Sequence, residues 1–187
     1  MFDELVRRPG VLEEARVRSN VAFLALHGGS LERGTAEIAT AAADRAGASL
    51  YAIRQPEDMR WHIPSHLADL DALPKLRAVL EHADVVVSLH GYGRPDLRDT
   101  LLLGGGNREL AATLATRLRQ SLPAWPVVDD LEAIPVRLRG VHPDNPVNRS
   151  RRGGVQVELP PRIRDGECDD EREALIDTLA SVRSGAA

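Results

Sequence analysis

The chain has 187 residues, of which 43% are hydrophobic and 28% charged, a globular composition with room for one domain that excludes wholesale disorder. Its 24 Lys+Arg against 28 Asp+Glu give a formal net charge of −4, which points away from a general nucleic-acid partner. No run of about 18 apolar residues occurs, excluding a membrane-spanning helix, and one cysteine, Cys168, cannot form an internal disulfide.

Residues 1–20 are charged throughout and lack the apolar core of a secretory signal, so the cytoplasm is the expected compartment. Strand-like and helix-like segments then alternate. Residues 21–26 (VAFLAL) form an apolar run too short for a helix. Residues 35–46, alanine-rich and flanked by Gly34 and Gly47, read as a helix. Residues 48–53 form the next strand candidate, a loop with Pro56 and Pro64 follows, and 72–82 read as a second helix. Residues 84–89 (DVVVSL) are the clearest buried strand, and 100–103 form another apolar run closed by Gly104, Gly105 and Gly106. A helix over 108–122, a small strand at 127–128 and a long loop rich in Pro, Asn and Arg over 130–152 come next. A strand over 155–159 and a helix over 171–183 end the series. The expected fold is a single α/β domain over 1–187, with its motifs within 21–164. A mostly parallel or mixed sheet would carry helices on both faces.

Two apolar runs end in the same way, in His27-Gly28-Gly29 and in His90-Gly91. Ligands of open parallel sheets bind beyond the carboxyl ends of the strands, so neighbouring strands would bring both imidazoles to one edge. Imidazole is the commonest zinc ligand and a carboxylate often completes the set. Glu32, five residues beyond His27 on a glycine-containing turn, can fold back to the same point. The plainer alternative, two hydrogen-bonded histidines at strand ends, stays open on this pattern alone.

The segment GGVQVELP offers a second constellation. In a strand, Val155 and Val157 face one way, Gln156 and Glu158 the other. A carboxylate there is costly unless solvated, paired or functional. Glu158 is thus either a water-activating base or the ion-pair partner of Arg149, Arg151, Arg162 or Arg164. His62 and His66, flanking Pro64, are candidates for a ligand, positioning or structural role, His82 suits a helix C-terminus, and His142 receives no role. The Gly104–Asn107 stretch lacks the Walker and GxGxxG spacings and reads as a tight strand-to-helix turn. No G-x-S-x-G elbow is present, and Cys168 lies among acids that oppose a reactive thiolate. Charge is unevenly spread: residues 137–164 carry a net +5 and the rest −9.

These residues, in this order, resemble the poly-γ-glutamate hydrolase family. The resemblance covers some three quarters of the chain and rests on five segments: HGGSLERGT from His27, SLHGYG from Ser88, LLGGGNREL from Leu102, DNPVNR from Asp144 and GGVQVELP from Gly153. It implies a zinc carboxypeptidase-like fold and cleavage of γ-glutamyl amide bonds. It also implies His27, Glu32 and His90 as ligands of Zn2+ and Glu158 as general base. Asn148-Arg149 resembles the pair that holds a substrate carboxylate in carboxypeptidases, although here it follows the third ligand in sequence. With Arg151, Arg152 and Arg162 it makes up the expected substrate-binding set. The implied partner is an anionic glutamyl polymer or a small acyl-amino acid, with no nucleic acid and no membrane. The alternatives are a zinc deacylase of small N-acyl amino acids and a non-catalytic protein that binds anionic polymers.

Overall fold

The computed structural model describes residues 1–166 and 168–184. Seven strands build one mixed sheet: β1 (Leu12–Arg16), β2 (Val21–Gly29), β3 (Ser49–Gln55), β4 (Val85–Gly91), β5 (Leu101–Gly104), β6 (Val127–Val128) and β7 (Gly154–Leu159). Their order across the sheet is β1-β3-β2-β4-β7-β5-β6. Strand β1 is antiparallel to β3, β5 is antiparallel to β7, and the other pairs are parallel. The helices are α1 (Phe2–Val6), α2 (Thr35–Ala46), α3 (Pro74–His82), α4 (Arg108–Ser121), α5 (Pro161–Arg164) and α6 (Asp169–Ala180).

Alternation along the strands sorts the core into two layers. Phe23, Val85, Val87, Val155 and Val157 pack against α2, α4 and α6 on one face. Leu24, Leu26, Val86 and Tyr51 pack against α1, α3 and Ile63 on the other. Both faces of β2 and β4 are therefore covered, which is why those strands read as unbroken apolar runs. The glycine run before α4 is a tight turn: Gly105 has φ 86°, and the Asn107 side chain caps the helix by accepting from Leu110 N at 2.9 Å. Such a cap is worth about 1 kcal/mol.

The sequence reading differs from the structure mainly at the start of the chain, where it assigns no elements. Helix α1 has only five residues. Strand β1 is a half-exposed edge strand carrying Glu13 and Glu14, so neither has an apolar period. Both glutamates are engaged across the edge, Glu13 by the Tyr51 hydroxyl at 2.9 Å and Glu14 by Arg54 at 2.8 Å. The strands carrying the His-Gly pairs also run on through those residues, so the histidines lie within the ladder rather than after it.

Candidate active site

Strands β2, β4 and β7 are consecutive in the sheet, and their carboxyl ends carry His27, His90 and Glu158. On β4, Ser88 and His90 share a face, and on β7, Gln156 and Glu158 share that same face. Simple alternation would turn His27 the other way, towards Phe23 and Ala25. The β2–β3 register shifts between Ala25 and Gly28, and this irregularity re-aims His27. Its ring then lies 6.1 Å from that of Phe2, on the face that holds His90 and Glu158.

Three ligand-type groups converge there. His27 Nδ1 lies 3.1 Å from Glu32 Oε1 and 3.2 Å from His90 Nδ1, and His90 Nδ1 lies 3.6 Å from Glu32 Oε2. The turn after β2 brings Glu32 back, its amide bonding to the His27 carbonyl at 3.0 Å. Gly91 N donates to Glu32 Oε2 at 2.9 Å, a contact that needs glycine because a Cβ at Gly91 would press on Glu32 and the Arg164 guanidinium. All three side chains are buried.

The outer nitrogens of the rings decide which atoms face inwards. The Ile63 carbonyl, 2.8 Å from His27 Nε2, can only accept, so Nε2 carries a proton and Nδ1 is the ring atom turned to the centre. His90 hydrogen-bonds with the Ser88 hydroxyl through Nε2 at 3.1 Å, which turns its Nδ1 the same way. Two ring nitrogens and a carboxylate pointed at one another repel unless a positive charge lies between them. Burial pushes the Glu32 carboxyl up, but the charges and hydrogen bonds of His27 and His90 outweigh it and hold that carboxyl well below its usual range. Burial likewise depresses His90, while Glu32 and Glu158 raise it, with a net upward shift. The group thus favours bound positive charge, and its nitrogen-oxygen donor set suits a divalent metal of the zinc type.

Glu158 stands beside this group, 3% exposed. Burial drives its carboxyl up to about 7, Glu32 adds to the rise, and His90, Gln156 and Arg164 oppose it. Gln156 Nε2 donates to Glu158 Oε1 at 2.8 Å, and Asn145 Nδ2 donates to Gln156 Oε1 at 3.0 Å. This amide relay fixes the carboxylate from behind, leaving it one face towards the cleft.

The cleft has a volume of about 810 Å³, within the range of ligand sites. Its walls include His27, Glu32, His90 and Glu158, together with His62, His66, His142 and Arg137. His62 is placed closer than its loop position suggested. A ring nitrogen of His62 lies within 4.8 Å of ligand atoms of both His27 and Glu32, making it a rival for the third ligand position.

None of the five side chains expected to bind substrate lines this cleft. Asn148 braces the loop, donating to the carbonyls of Gly140 at 2.8 Å and His142 at 2.9 Å, while accepting from Gly106 N at 2.8 Å. Arg149 pairs with Asp144 at 3.3 Å in a neighbouring depression. Arg151 pairs with Asp84 at 2.6 Å, and Arg152 binds the Ser184 carbonyl. Both lie at the opposite, amino-terminal end of β4 and β7. Arg162 pairs with Asp99 at 3.3 Å and covers the Trp125 ring. Sequence reasoning missed Arg137, and the only signal for it was the net +5 of residues 137–164. It also missed the role of Arg164, which ties the site's rim through the carbonyls of Leu159 at 3.2 Å and Arg33 at 2.8 Å.

Residues 4–173 match the sequence pattern of the poly-gamma-glutamate hydrolase family. The chain belongs to that family. Its relatives include the UPF0714 protein YndL of Bacillus subtilis (strain 168), 30% identical over 148 residues, which cover 78% of this chain and 55% of YndL. The SPbeta prophage-derived UPF0714 protein YoqZ of the same strain is also 30% identical, over 76% of this chain and 50% of YoqZ. This family member therefore spans about half the length of those two relatives. Among solved structures, a bacteriophage poly-gamma-glutamate hydrolase superposes with a TM-score of 0.76 at 25% identity, covering 95% of this chain and 92% of the phage chain. Zinc-free, apo YndL superposes with the same TM-score at 24% identity, covering 95% and 94%.

Proposed function

We propose that this chain is a zinc-dependent hydrolase of γ-glutamyl amide bonds, with poly-γ-glutamate as its substrate class. The observation that carries the reading is the convergence of two imidazole nitrogens and the Glu32 carboxylate beside a second buried carboxylate, Glu158, in an open cleft. Family membership supports the reaction class, and the zinc-free form of YndL, an apo state defined by that metal, supports the choice of metal.

In this reading His27, Glu32 and His90 hold the metal, and His62 borders it from the solvent side. A bound zinc supplies Lewis acidity, polarising the scissile carbonyl and lowering the pKa of the attacking water. Glu158 accepts a proton from that water and later returns it to the departing amide nitrogen. The Gln156 amide holds Glu158 in the orientation that both transfers require. The hydrogen bonds at the Nε2 atoms of His27 and His90 lock ring orientation, and the Ile63 carbonyl also sets the His27 tautomer.

A polymeric substrate is favoured over a small acyl-amino acid by the shape of the surface. The cleft shares His66 with a second depression of about 280 Å³ that carries Arg149, so a chain has room to run beyond the reacting bond. The buried, unpaired Cys168 suits a reducing compartment, and we place the activity in the cytoplasm. Among the described residues no helix is long and apolar enough to cross a membrane.

Elemental analysis of the purified chain, followed by a poly-γ-glutamate assay with and without chelator, tests the proposal. One zinc per chain and chelator-sensitive shortening of the polymer are expected. Activity on N-acyl-glutamates without activity on the polymer would reassign it to the small-substrate amidohydrolases. A folded protein that takes up no zinc would make it a binding protein instead.

A further inference from the structure

The arginines of residues 137–164 are alike in sequence and unlike in place. Arg139 pairs with Glu132, Arg149 with Asp144, Arg151 with Asp84, Arg162 with Asp99 and Arg164 with Asp165. Arg152 is held by a backbone carbonyl. Arg137 is the exception: no side-chain hydrogen bond or ion pair engages its guanidinium among the described residues. It is also the one Lys or Arg among the described residues lining the cleft.

The turn that carries Arg137, Val136–Leu138, is braced rather than loose. Arg139 Nε donates to the Ile134 carbonyl at 2.9 Å, and the Arg139 carbonyl accepts from Gly105 N at 2.7 Å. The Leu138 carbonyl lies 3.4 Å from Gln156 Nε2, the same amide nitrogen that donates to Glu158. One side chain, Gln156, therefore sets the position of the Arg137 turn relative to Glu158.

We infer that Arg137 is the specificity-determining residue of the cleft, binding a free carboxylate of the substrate close to the amide bond that is cut. This rests on the hydrolase reading above and names what it leaves open, the group that recognises the negative charge carried by every residue of a γ-linked glutamate chain. A guanidinium binds a carboxylate through two parallel hydrogen bonds, a geometry an ammonium lacks. The unpaired fork pays no cost for leaving an existing partner, and the turn that carries it is tied to Glu158 through the Gln156 amide.

The test uses a γ-linked glutamate oligomer and its fully α-methyl-esterified counterpart. Binding is measured with zinc-loaded Glu158→Gln protein, which leaves the oligomer intact, with and without Arg137→Gln. KM and kcat are measured in the native background. Loss of a charge-assisted pair predicts a rise of about 10- to 100-fold in Kd and KM for the acid. kcat should stay within about twofold, the ester should hardly respond, and Arg137→Lys should recover part of the loss. Zinc content and thermal unfolding should not change, because Arg137 has no hydrogen-bond or ion-pair partner among the described residues. Equal weakening of acid and ester, or no change for either, overturns the assignment. If the wild-type chain binds the oligomer but does not cleave it, the hydrolase reading fails while the binding comparison still decides the role of Arg137.

Discussion

His90 and Glu158 stand directly opposite each other across the β4–β7 ladder, each one residue short of the end of its strand. The proposed metal ligand and the proposed base are thereby held by backbone hydrogen bonds of the sheet itself. Neither depends on a loop for its position, which is the kind of rigidity proton transfer at a fixed distance requires.

Replacing Glu158 with Gln keeps the shape and the Gln156 contact region but removes the proton acceptor. Turnover should fall by roughly 10²- to 10⁴-fold, while zinc content stays at the wild-type value. Steady-state kinetics alongside metal analysis check this, and undiminished turnover would remove Glu158 from the reaction.

The third metal ligand can be decided by two single variants. His90→Ala should abolish stoichiometric zinc, as should His27→Ala or Glu32→Gln, whereas His62→Ala should retain it, because His62 is exposed and His90 is buried. In the wild type, zinc at a hundred times its Kd should add about 2.7 kcal/mol of stability. Calorimetry with zinc and with chelator measures both effects, and zinc kept by His90→Ala but lost by His62→Ala would reverse the assignment.

The raised Glu158 carboxyl has a defined pH signature in the metal-free protein. Below pH about 4.5 it is protonated in both folded and unfolded chains. Between there and about 7 the unfolded chain releases its proton and the folded one keeps it, so this group makes stability fall as pH rises. Glu158→Gln lacks that loss, and its stability relative to wild type should therefore improve across this interval and level off above it. In the zinc-loaded wild type the kinetic acid limb should lie below about 7, since a nearby cation favours the carboxylate. Denaturation curves at several pH values would show a flat difference if burial did not raise the group.

Gln156→Leu should separate positioning from packing. It takes the amide donor away from Glu158 and leaves Asn145 Nδ2 without its acceptor, at a cost of about 1–3 kcal/mol in stability. kcat should fall, and zinc should remain bound. A rise in KM with kcat preserved would assign Gln156 to substrate binding instead.

Gly29 joins β2 to the Glu32 turn with φ 79°, and a Cβ there would overlap the Gln55 backbone. Gly29→Ala should destabilise the protein by more than about 1 kcal/mol and weaken zinc binding through displacement of Glu32. Titration with a zinc indicator reads the second effect, and unchanged affinity would show that the turn adapts.

Much of this molecule was legible from local order in the chain. The apolar runs marked five of the seven strands and the pair at 127–128 a sixth, because strands buried on both faces need no partner to be recognised. The alternation of Val155 and Val157 with Gln156 and Glu158 already put the acid on the opposite side from the core valines. The half-exposed edge strand β1 escaped because charged residues on an edge carry no apolar period.

What the tertiary structure alone decided is which like residue does what. Seven arginines between 137 and 164 differ in the carboxylates the fold brings near them, and that depends on contacts between residues far apart in the chain. The same holds for the shift in β2 that turns His27 towards His90, and for the loop that brings His62 beside His27 and Glu32. Periodicity reports a side chain's local face; only strand order and loop packing report its neighbours.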